Sequence, residues 1–392
     1  MEVRGVAEVR TAIEGRRDSI LQLWRRLEEI DSGSRYKPGV DRVAGIVGEA
    51  LANLGFRCEV VPQAHVGNHL LASQSFRGRG RILFSCHLDT VWPEGTTETW
   101  PFRVEGNRVT GPGVGDMKGG LVVMLEALRF FLARDTHLPE RITVVCAGDE
   151  ELGSQTARSL IENEARRSDW CFVMESAPPG DYLVTGRSAV GNFTVSVEGK
   201  TAHCGGAFDE GASAIRELAG KILALEALCR PRDGIIVSAG VLQGGVARQV
   251  VPDSASALFD VRARTREQQD RLVTELRSII GRATVLGTRC SLSGEFHRPP
   301  FEETAGGRAL FTVAREVGCE LGMDLKPLHR GGGSDGNLAA ALGTPTLDGL
   351  GPVADEICSR RESAEVGSIA QKAALVVGLL DRLPDIPDAV AR

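Results

Sequence analysis

Apolar positions in the first part of the chain follow two different spacings. Residues 9–30, 40–54 and 119–133 carry apolar side chains at helical intervals, and this spacing predicts helices. Short, nearly continuous apolar runs lie between these stretches and predict buried strands. The predicted strands are residues 56–61, 68–72, 81–85, 141–147 and 170–174. Helices that alternate with buried strands are typical of an α/β domain.

The pattern changes after about residue 186 and changes back after Arg298. In between, the predicted order is strand-helix-strand-strand-helix-strand, which is the order of a small ferredoxin-like α+β sandwich. The strands are predicted at 192–198, 235–242, 255–262 and 283–292, and the helices at 211–229 and 266–281. We therefore predict a domain of residues 187–297, inserted between two parts of one α/β domain, 1–186 and 298–392.

The composition excludes several classes of function. At 392 residues the chain is too long for one ordinary core, and 42% hydrophobic with 25% charged residues is typical of a soluble globular protein. The net charge of −6 argues against a nucleic-acid partner, and no apolar stretch is long enough to span a membrane. The first residues lack the apolar core of a secretory signal, and the nine cysteines show no paired spacing. We therefore expect a cytoplasmic protein with reduced thiols.

Four short segments rich in acidic residues and histidine occur in order along the predicted α/β domain. They are SCHLDT (85–90), GVGDMKGG (113–120), GDEELG (148–153) and MES (174–176). Three of them follow or end a predicted strand, and the carboxyl ends of parallel strands open onto one crevice. A neutral imidazole with several carboxylates is the ligand set of a hydrolytic zinc or related divalent-metal site.

The alternative for any one of these segments is a group of solvated acids at a strand end. Four such segments in sequence favour the metal site. Within the third segment, two adjacent glutamates could divide the work, one binding metal and the other handling protons.

These segments and others resemble the metallopeptidase family of glutamate carboxypeptidase, acetylornithine deacetylase and succinyl-diaminopimelate desuccinylase. The glutamate carboxypeptidase branch is the most similar, and the resemblance covers nearly the whole chain. Its motifs lie at 87–91, 113–120, 149–151, 199–206, 244–252, 298–300 and 331–337. The resemblance implies a zinc-exopeptidase-like mixed sheet flanked by helices, with an inserted ferredoxin-like lid domain. In the family this lid is often the dimer surface, so a homodimer through it is expected.

The resemblance also implies two metal ions per subunit, with Zn²⁺ expected and Co²⁺ or Mn²⁺ as alternatives. His87 would bind one ion and Asp116 would bridge the two. Glu151 would complete the shell of one ion and Glu175 that of the other. Glu150 would be the general base, taking a proton from the attacking water and delivering it to the leaving nitrogen.

Further roles implied by the resemblance concern orientation and substrate binding. Asp89 would orient the ring of His87. His203, in the lid, would stabilise the oxyanion, commonly from the partner subunit. Arg298, before two prolines, resembles the arginine that clamps the free carboxylate of the substrate. The loop that contains Gly332 and Ser334 resembles the substrate-side loop of the family.

Two positions depart from the family pattern. The last metal ligand of the family is a histidine, and Cys358 stands at that place, with no histidine after His329. Cys358 is either a zinc ligand, or marks a weak or empty second site, or marks a domain that has lost hydrolysis, or is an inert buried cysteine. At the second position, Gln249 replaces the asparagine that donates to the substrate, and the longer arm is expected to shift substrate preference.

The sequence thus predicts a metal-dependent hydrolase of the amide bond in a small, carboxylate-bearing substrate, such as an N-acyl or peptidyl amino acid. The alternative is a diverged member whose altered metal site acts on an unusual bond or only binds its ligand.

Overall fold

The computed structural model describes residues 5–134 and 138–386. The last residues of the predicted 298–392 segment, 387–392, lie outside the described part. The helices are α1 Val6–Glu14, α2 Arg17–Glu28, α3 Lys37–Asn53, α4 Thr96–Thr99, α5 Gly119–Leu132, α6 Arg158–Arg166, α7 Ala214–Glu226, α8 Arg266–Ile280, α9 Ala305–Glu320, α10 Gly336–Ala341 and α11 Val366–Arg382. The strands are β1 Arg57–Val61, β2 His69–Ser75, β3 Arg81–His87, β4 Arg103–Glu105, β5 Arg108–Thr110, β6 Arg141–Ala147, β7 Trp170–Val173, β8 Tyr182–Arg187, β9 Ala189–Glu198, β10 Ile236–Gly244, β11 Ser254–Ala263, β12 Arg289–Arg298, β13 Lys326–Arg330, β14 Thr346–Leu347, β15 Ala354–Asp355 and β16 Ser363–Glu365.

The chain divides into two compact units. The second unit consists of Arg187–Glu302 together with Arg330–Gly333, and the first unit contains the remaining described residues. The second unit therefore extends past the predicted end at residue 297 and includes a short return segment. Hydrogen bonds to the carbonyls of that segment hold it there, since Arg262 donates to Gly331 and Arg187 donates to Gly332 and Gly333.

A mixed six-stranded sheet forms the centre of the first unit, in the order β1-β2-β6-β3-β7-β14. Strands β6, β3, β7 and β14 run parallel, while β1 and β2 are antiparallel to their neighbours. The parallel strands are buried along almost their whole length, as expected where helices cover both faces. Their carboxyl ends lie at one edge of the sheet, which places His87 beside the segments that follow β6 and β7.

The Asp116 segment reaches the same edge by a different route. It forms an irregular turn, residues 114–118, that leads directly into α5. The start of α5 packs against the end of β7 so closely that a Cβ at Gly120 would lie 2.0 Å from the carbonyl oxygen of Met174. Glycine is therefore required there, and the contact brings Asp116 to the segment that contains Glu175.

A small four-stranded sheet, in the order β15-β16-β5-β4, also belongs to the first unit. Strands β15 and β16 form a hairpin, and β16 continues the pairing onto β5. The hairpin loop, residues 356–362, contains Cys358. The small sheet thus determines where this loop lies.

The second unit is an antiparallel sheet in the order β10-β11-β9-β12, with α7 and α8 packed on its apolar face. This is the predicted ferredoxin-like arrangement, and together with the mixed sheet it confirms the predicted α/β fold class. Two details differ from the prediction. The first predicted helix, 9–30, is interrupted at Gly15 and Arg16 and forms α1 and α2. The strand predicted at 283–292 begins only at Arg289.

The late start of β12 has a physical cause in the second unit. Glu217 of α7 is fully buried and accepts hydrogen bonds from the backbone N–H groups of Thr284 and Val285. It also accepts from the hydroxyl of Thr284 at 2.7 Å and the thiol of Cys290 at 3.5 Å, and it pairs with Lys221 at 3.2 Å. Burial alone would raise the pKa of Glu217, but these hydrogen bonds outweigh it and lower the pKa to about 2. The backbone donors of this segment therefore bind Glu217 rather than a neighbouring strand.

Among the described residues, no helix is both long enough and apolar enough to cross a membrane.

Candidate metal centre

His87 lies at the end of β3 and is buried. Its Nδ1 is 2.9 Å from the carbonyl oxygen of Asp89, so this nitrogen carries the proton and donates. The lone pair of Nε2 then faces two carboxylates, Asp116 Oδ1 at 3.1 Å and Glu175 Oε1 at 3.4 Å. Three electron-pair donors thus meet at one point, which is stable only if a cation or a proton lies between them.

The Asp89 carboxylate connects the His87 segment to the two adjacent glutamates. It accepts hydrogen bonds from the backbone N–H groups of Glu150 and Glu151, both at 3.1 Å, and from the hydroxyl of Ser34 at 2.6 Å. Its Oδ1 also lies 3.4 Å from Nδ1 of His87. Asp89 therefore fixes the turn after β6 relative to the histidine at the end of β3.

Two overlapping groups of side chains have the spacing of a metal site. One contains His87, Glu150 and Glu175, and the other contains His87, Asp116 and Glu151; within each, one potential ligand atom from every residue lies within 4.8 Å of the others. All five residues were predicted from the sequence as ligands or as the base. The structure brings them together at the carboxyl edge of the central sheet.

The chemistry of this donor set fits a bound divalent cation. Glu151 Oε1 is buried and has no hydrogen-bond partner among the described residues. Burial raises the pKa of Glu151 well above its usual range, and the charges of Asp116 and Glu150 raise it further. For His87, burial alone would lower the pKa, but the carboxylates of Asp116, Asp89 and Glu175 raise it well above its usual range. Both raised pKa values reflect the carboxylates concentrated around His87, and nitrogen and carboxylate ligands suit zinc.

Cys358 also reaches this site. Its Sγ donates to Asp116 Oδ2 at 3.3 Å, although the residue as a whole is exposed. Partial burial of the sulfur raises the pKa of the Cys358 thiol, and the charges of Asp116 and Glu151 raise it further. A thiolate could form beside these carboxylates only with a cation present. The contact with Asp116 places Cys358 where a further ligand would lie.

The remaining predicted residues of the second unit form two local arrangements. His203 is exposed, its Nδ1 accepts from the N–H of Gly205 at 3.1 Å, and the neighbouring Cys204 N–H donates to the carbonyl of Gln249 at 3.0 Å. The turn that carries His203 therefore also fixes the backbone of Gln249. In the other arrangement, Arg298 is buried at the end of β12, where a Cβ at Gly333 would lie 2.6 Å from its Cδ.

The predicted substrate-side loop is divided between the two units. Gly332, in the second unit, is exposed, and its carbonyl accepts from Arg187 at 3.3 Å. Ser334, in the first unit, is buried and donates its hydroxyl to Asp348 at 2.7 Å. The Ser334 side chain thus belongs to an internal hydrogen-bond network, and its role in substrate binding stays a prediction.

The sequence patterns did not indicate three residues that support the predicted site. Ser34 donates to Asp89, Arg187 holds the carbonyl of Gly332, and Glu362 accepts from the N–H groups of the Asp116 turn. Serine and arginine at isolated positions give no pattern that could reveal such contacts. Glu362 lies only four residues after Cys358, and this short spacing was the one signal available.

The chain is similar to known proteins in sequence and in fold. The family model described as peptidase family M20/M25/M40 matches residues 83–382. Carboxypeptidase G2 of Pseudomonas sp. (strain RS-16) is 28% identical over 340 residues, which cover 85% of this chain and 81% of that protein.

Solved structures show the same fold. Aminopeptidase PepT from Bacillus cereus ATCC 10987 superposes with a TM-score of 0.78 at 21% identity, over 94% of this chain and 99% of that one. The YXEP protein of Bacillus subtilis, a dinuclear metal-binding peptidase from the M20 family, superposes with a TM-score of 0.71 at 16% identity, over 95% of this chain and 99% of that one.

The raised pKa values of His87, Glu151 and Cys358 predict that metal binding is coupled to proton release. A raised pKa means that the metal-free protein keeps the proton to a higher pH, so metal affinity should fall as the pH is lowered. Zinc titrations by calorimetry in buffers of different ionisation enthalpy should show release of about one proton or more per ion near neutral pH. A zinc affinity that stays constant between about pH 6 and pH 8 would contradict this coupling.

Proposed function

The chain belongs to peptidase family M20/M25/M40, and from this premise we propose that it hydrolyses the amide bond of a small substrate bearing a free carboxylate. Membership of this family makes it a metallohydrolase that acts on C–N bonds. The observation that carries the finer proposal is the meeting of His87, Asp116, Glu151 and Glu175 at one sheet edge, with Glu150 beside them. N-acyl and peptidyl amino acids are the proposed substrate class.

We propose two metal ions per subunit, with Zn²⁺ as the expected metal and Co²⁺ or Mn²⁺ as alternatives. His87, Asp116 and Glu175 would hold one ion; Asp116, Glu151 and Cys358 would hold the other. When bound, such ions polarise the scissile carbonyl and lower the pKa of water. The surplus of carboxylates around His87 supports this assignment, because buried negative charge requires compensation.

Glu150 is the proposed general base. Its backbone N–H is held by Asp89, and its carboxylate belongs to the same group as His87 and Glu175. A carboxylate in that place can accept a proton from the attacking water and return it to the leaving nitrogen. Glu151, next in the chain, would remain a ligand, so the two glutamates would have separate roles.

Substrate recognition is assigned to residues of the second unit and the glycine-rich loop. Arg298 would bind the free carboxylate, since its planar guanidinium suits two parallel hydrogen bonds. Gln249 would donate to the substrate, and Gly332 and Ser334 would line the substrate side. His203 would stabilise the oxyanion, supplied by the partner subunit. The carboxypeptidase activity in the name of the Pseudomonas relative supports a substrate with a free carboxylate.

A homodimer through the second unit is supported by its exposed apolar side chains. Strand β10 is an edge strand, with Val241 and Leu242 45% and 62% exposed. On α7, Leu223 is 72% exposed. Apolar side chains on an unpaired edge strand favour association with another chain. We also propose a cytoplasmic location, since all nine cysteines, every one of them described, are free thiols.

The alternative is a diverged member whose changed metal site acts on an unusual bond or only binds a ligand. The replacement of histidine by Cys358 is the observation behind it. Metal content distinguishes the two, because two firmly held ions per subunit support the hydrolase. An intact fold that binds no metal would support the alternative.

Substitution of the adjacent glutamates should separate the base from the ligand. Glu150→Gln should keep both ions while kcat falls by about two to four orders of magnitude, the usual scale for loss of acid–base help. Glu151→Gln should instead lower the metal content, measured by elemental analysis. Glu162→Gln, on the surface of α6, is the matched control and should change neither quantity. A metal-loaded Glu150→Gln enzyme with full turnover would exclude Glu150 as the base.

Arg298→Lys should raise KM about tenfold or more with little change in kcat, because lysine keeps the charge but loses the paired hydrogen bonds. Arg289→Lys, at the other end of β12, is the matched control and should behave as wild type. A substrate in which the carboxylate is replaced by a carboxamide should be insensitive to Arg298→Lys. An equal effect on both substrates would show that Arg298 does not bind the carboxylate.

Mixing two inactive variants tests the shared site. His203→Ala and Glu150→Ala subunits should recover part of the wild-type activity after exchange, because a mixed dimer would contain one complete site. Subunit exchange is verified with a mass-tagged chain. Absence of recovery after proven exchange would mean that each subunit uses only its own histidine.

A further inference from the structure

The loop of residues 356–362 brings Cys358 to Asp116 in a constrained backbone conformation. Glu356 and Cys358 have φ values of 51° and 58°, in the left-handed region that disfavours side chains other than glycine. A sulfur atom also extends less far from the backbone than an imidazole nitrogen does. The loop must therefore lie close to Asp116 for the 3.3 Å contact to form, and contacts outside the loop are needed to hold it there.

The first such contact is made by Arg360. Its guanidinium carbon lies 5.2 Å from the ring centre of Trp92 and 5.6 Å from that of Trp100. The two indoles themselves pack edge to face, with centroids 5.1 Å apart. A guanidinium against two tryptophan faces is a favourable cation–π arrangement. Because Trp92 belongs to the segment that follows His87, Arg360 ties the Cys358 loop to that segment.

The second contact is made by Glu362. Its side chain is fully buried, and Oε1 accepts hydrogen bonds from the N–H groups of Gly115 at 2.9 Å and Asp116 at 3.1 Å. Asp116, whose carboxylate accepts from the Cys358 thiol, is therefore also bound through its backbone N–H to the loop that contains Cys358. Arg360 and Glu362 follow Cys358 by two and four residues, so both contacts act close to the sulfur.

We propose that Arg360 and Glu362 are positioning residues that hold the Cys358 thiolate in place as a metal ligand. This inference rests on the proposed metal site and deepens it. It explains how a side chain as short as cysteine can reach the metal, because contacts at Arg360 and Glu362 hold its loop close to the site. Arg360 fixes the loop to the His87 segment, and Glu362 fixes it to the Asp116 turn. Without them, the left-handed backbone at Cys358 would relax and the sulfur would leave the site.

The test uses the full-length protein loaded with Co²⁺, because a thiolate bound to cobalt gives a charge-transfer absorption band in the near ultraviolet. Wild type should show the band and Cys358→Ser should lose it. Arg360→Ala and Glu362→Ala should show a weaker band per bound cobalt or none. Glu362→Gln keeps an acceptor oxygen and should recover part of the band. Arg361→Ala is the matched control, since Arg361 pairs with Glu356 inside the loop, and it should match wild type.

Alkylation of the thiol gives a second measurement that does not depend on activity. In the metal-loaded protein, iodoacetamide should modify Cys358 slowly in wild type and in Arg361→Ala. In Arg360→Ala the rate should rise toward that of Cys319, an exposed free thiol that serves as the internal reference. Peptide mass spectrometry follows both cysteines in the same sample.

The outcomes separate this inference from the function on which it rests. Hydrolysis without a cobalt–thiolate band in wild type would overturn ligation by Cys358, and the positioning roles with it, while leaving the hydrolase intact. A wild-type band that persists unchanged in Arg360→Ala and Glu362→Ala would overturn the positioning roles alone. Arg360 is exposed, so its substitution tests the inference even if Glu362→Ala does not fold.

Discussion

The candidate site depends on one constraint, the concentration of negative charge around a single buried imidazole. His87 faces Asp116 and Glu175 directly, and Glu150 and Glu151 lie in the same space. Buried carboxylates this close to one another repel, and a proton or a metal ion between them stabilises the group. The raised pKa values of His87 and Glu151 express the same requirement. The hydrogen bonds of the surrounding loops hold these charges together against their mutual repulsion.

Two further carboxylates hold the backbone on which the proposed ligands are carried. Asp89 accepts from the N–H groups of Glu150 and Glu151, and Glu362 accepts from that of Asp116. A carboxylate that binds backbone donors fixes its target without occupying the metal-binding space. Each of the two connects segments that are distant in the sequence, so the site is preorganised by hydrogen bonds as well as by the central sheet.

The sequence predicted the parts of this molecule that have a repeating or local pattern. The order of His87, Glu151 and Glu175 after buried strands was enough to infer their convergence, because parallel strands end at one sheet edge. Asp116 reaches that edge through the turn before α5 instead. The contact of Ser34 with Asp89 had no such pattern, since an isolated serine is found in most loops. The late start of β12 was also hidden, because Thr284 and Val285 bind a carboxylate on another element. Contacts of this kind depend on tertiary packing and cannot be inferred from spacing.

The insertion of the second unit has a consequence for synthesis of the chain on the ribosome. The second unit is built almost entirely from one continuous run, Arg187–Glu302, and its sheet can form as soon as that run has emerged. The first unit must wait, because β14 completes the central sheet beside β7 and α11 packs against α5. The amino-terminal half of the first unit is therefore translated before the elements that cover it, and its apolar surface is exposed during that interval. Domains usually fold in the order in which they are translated, but here the inserted second unit can fold before the first unit is complete. Chaperones would be most needed while the first unit is still incomplete.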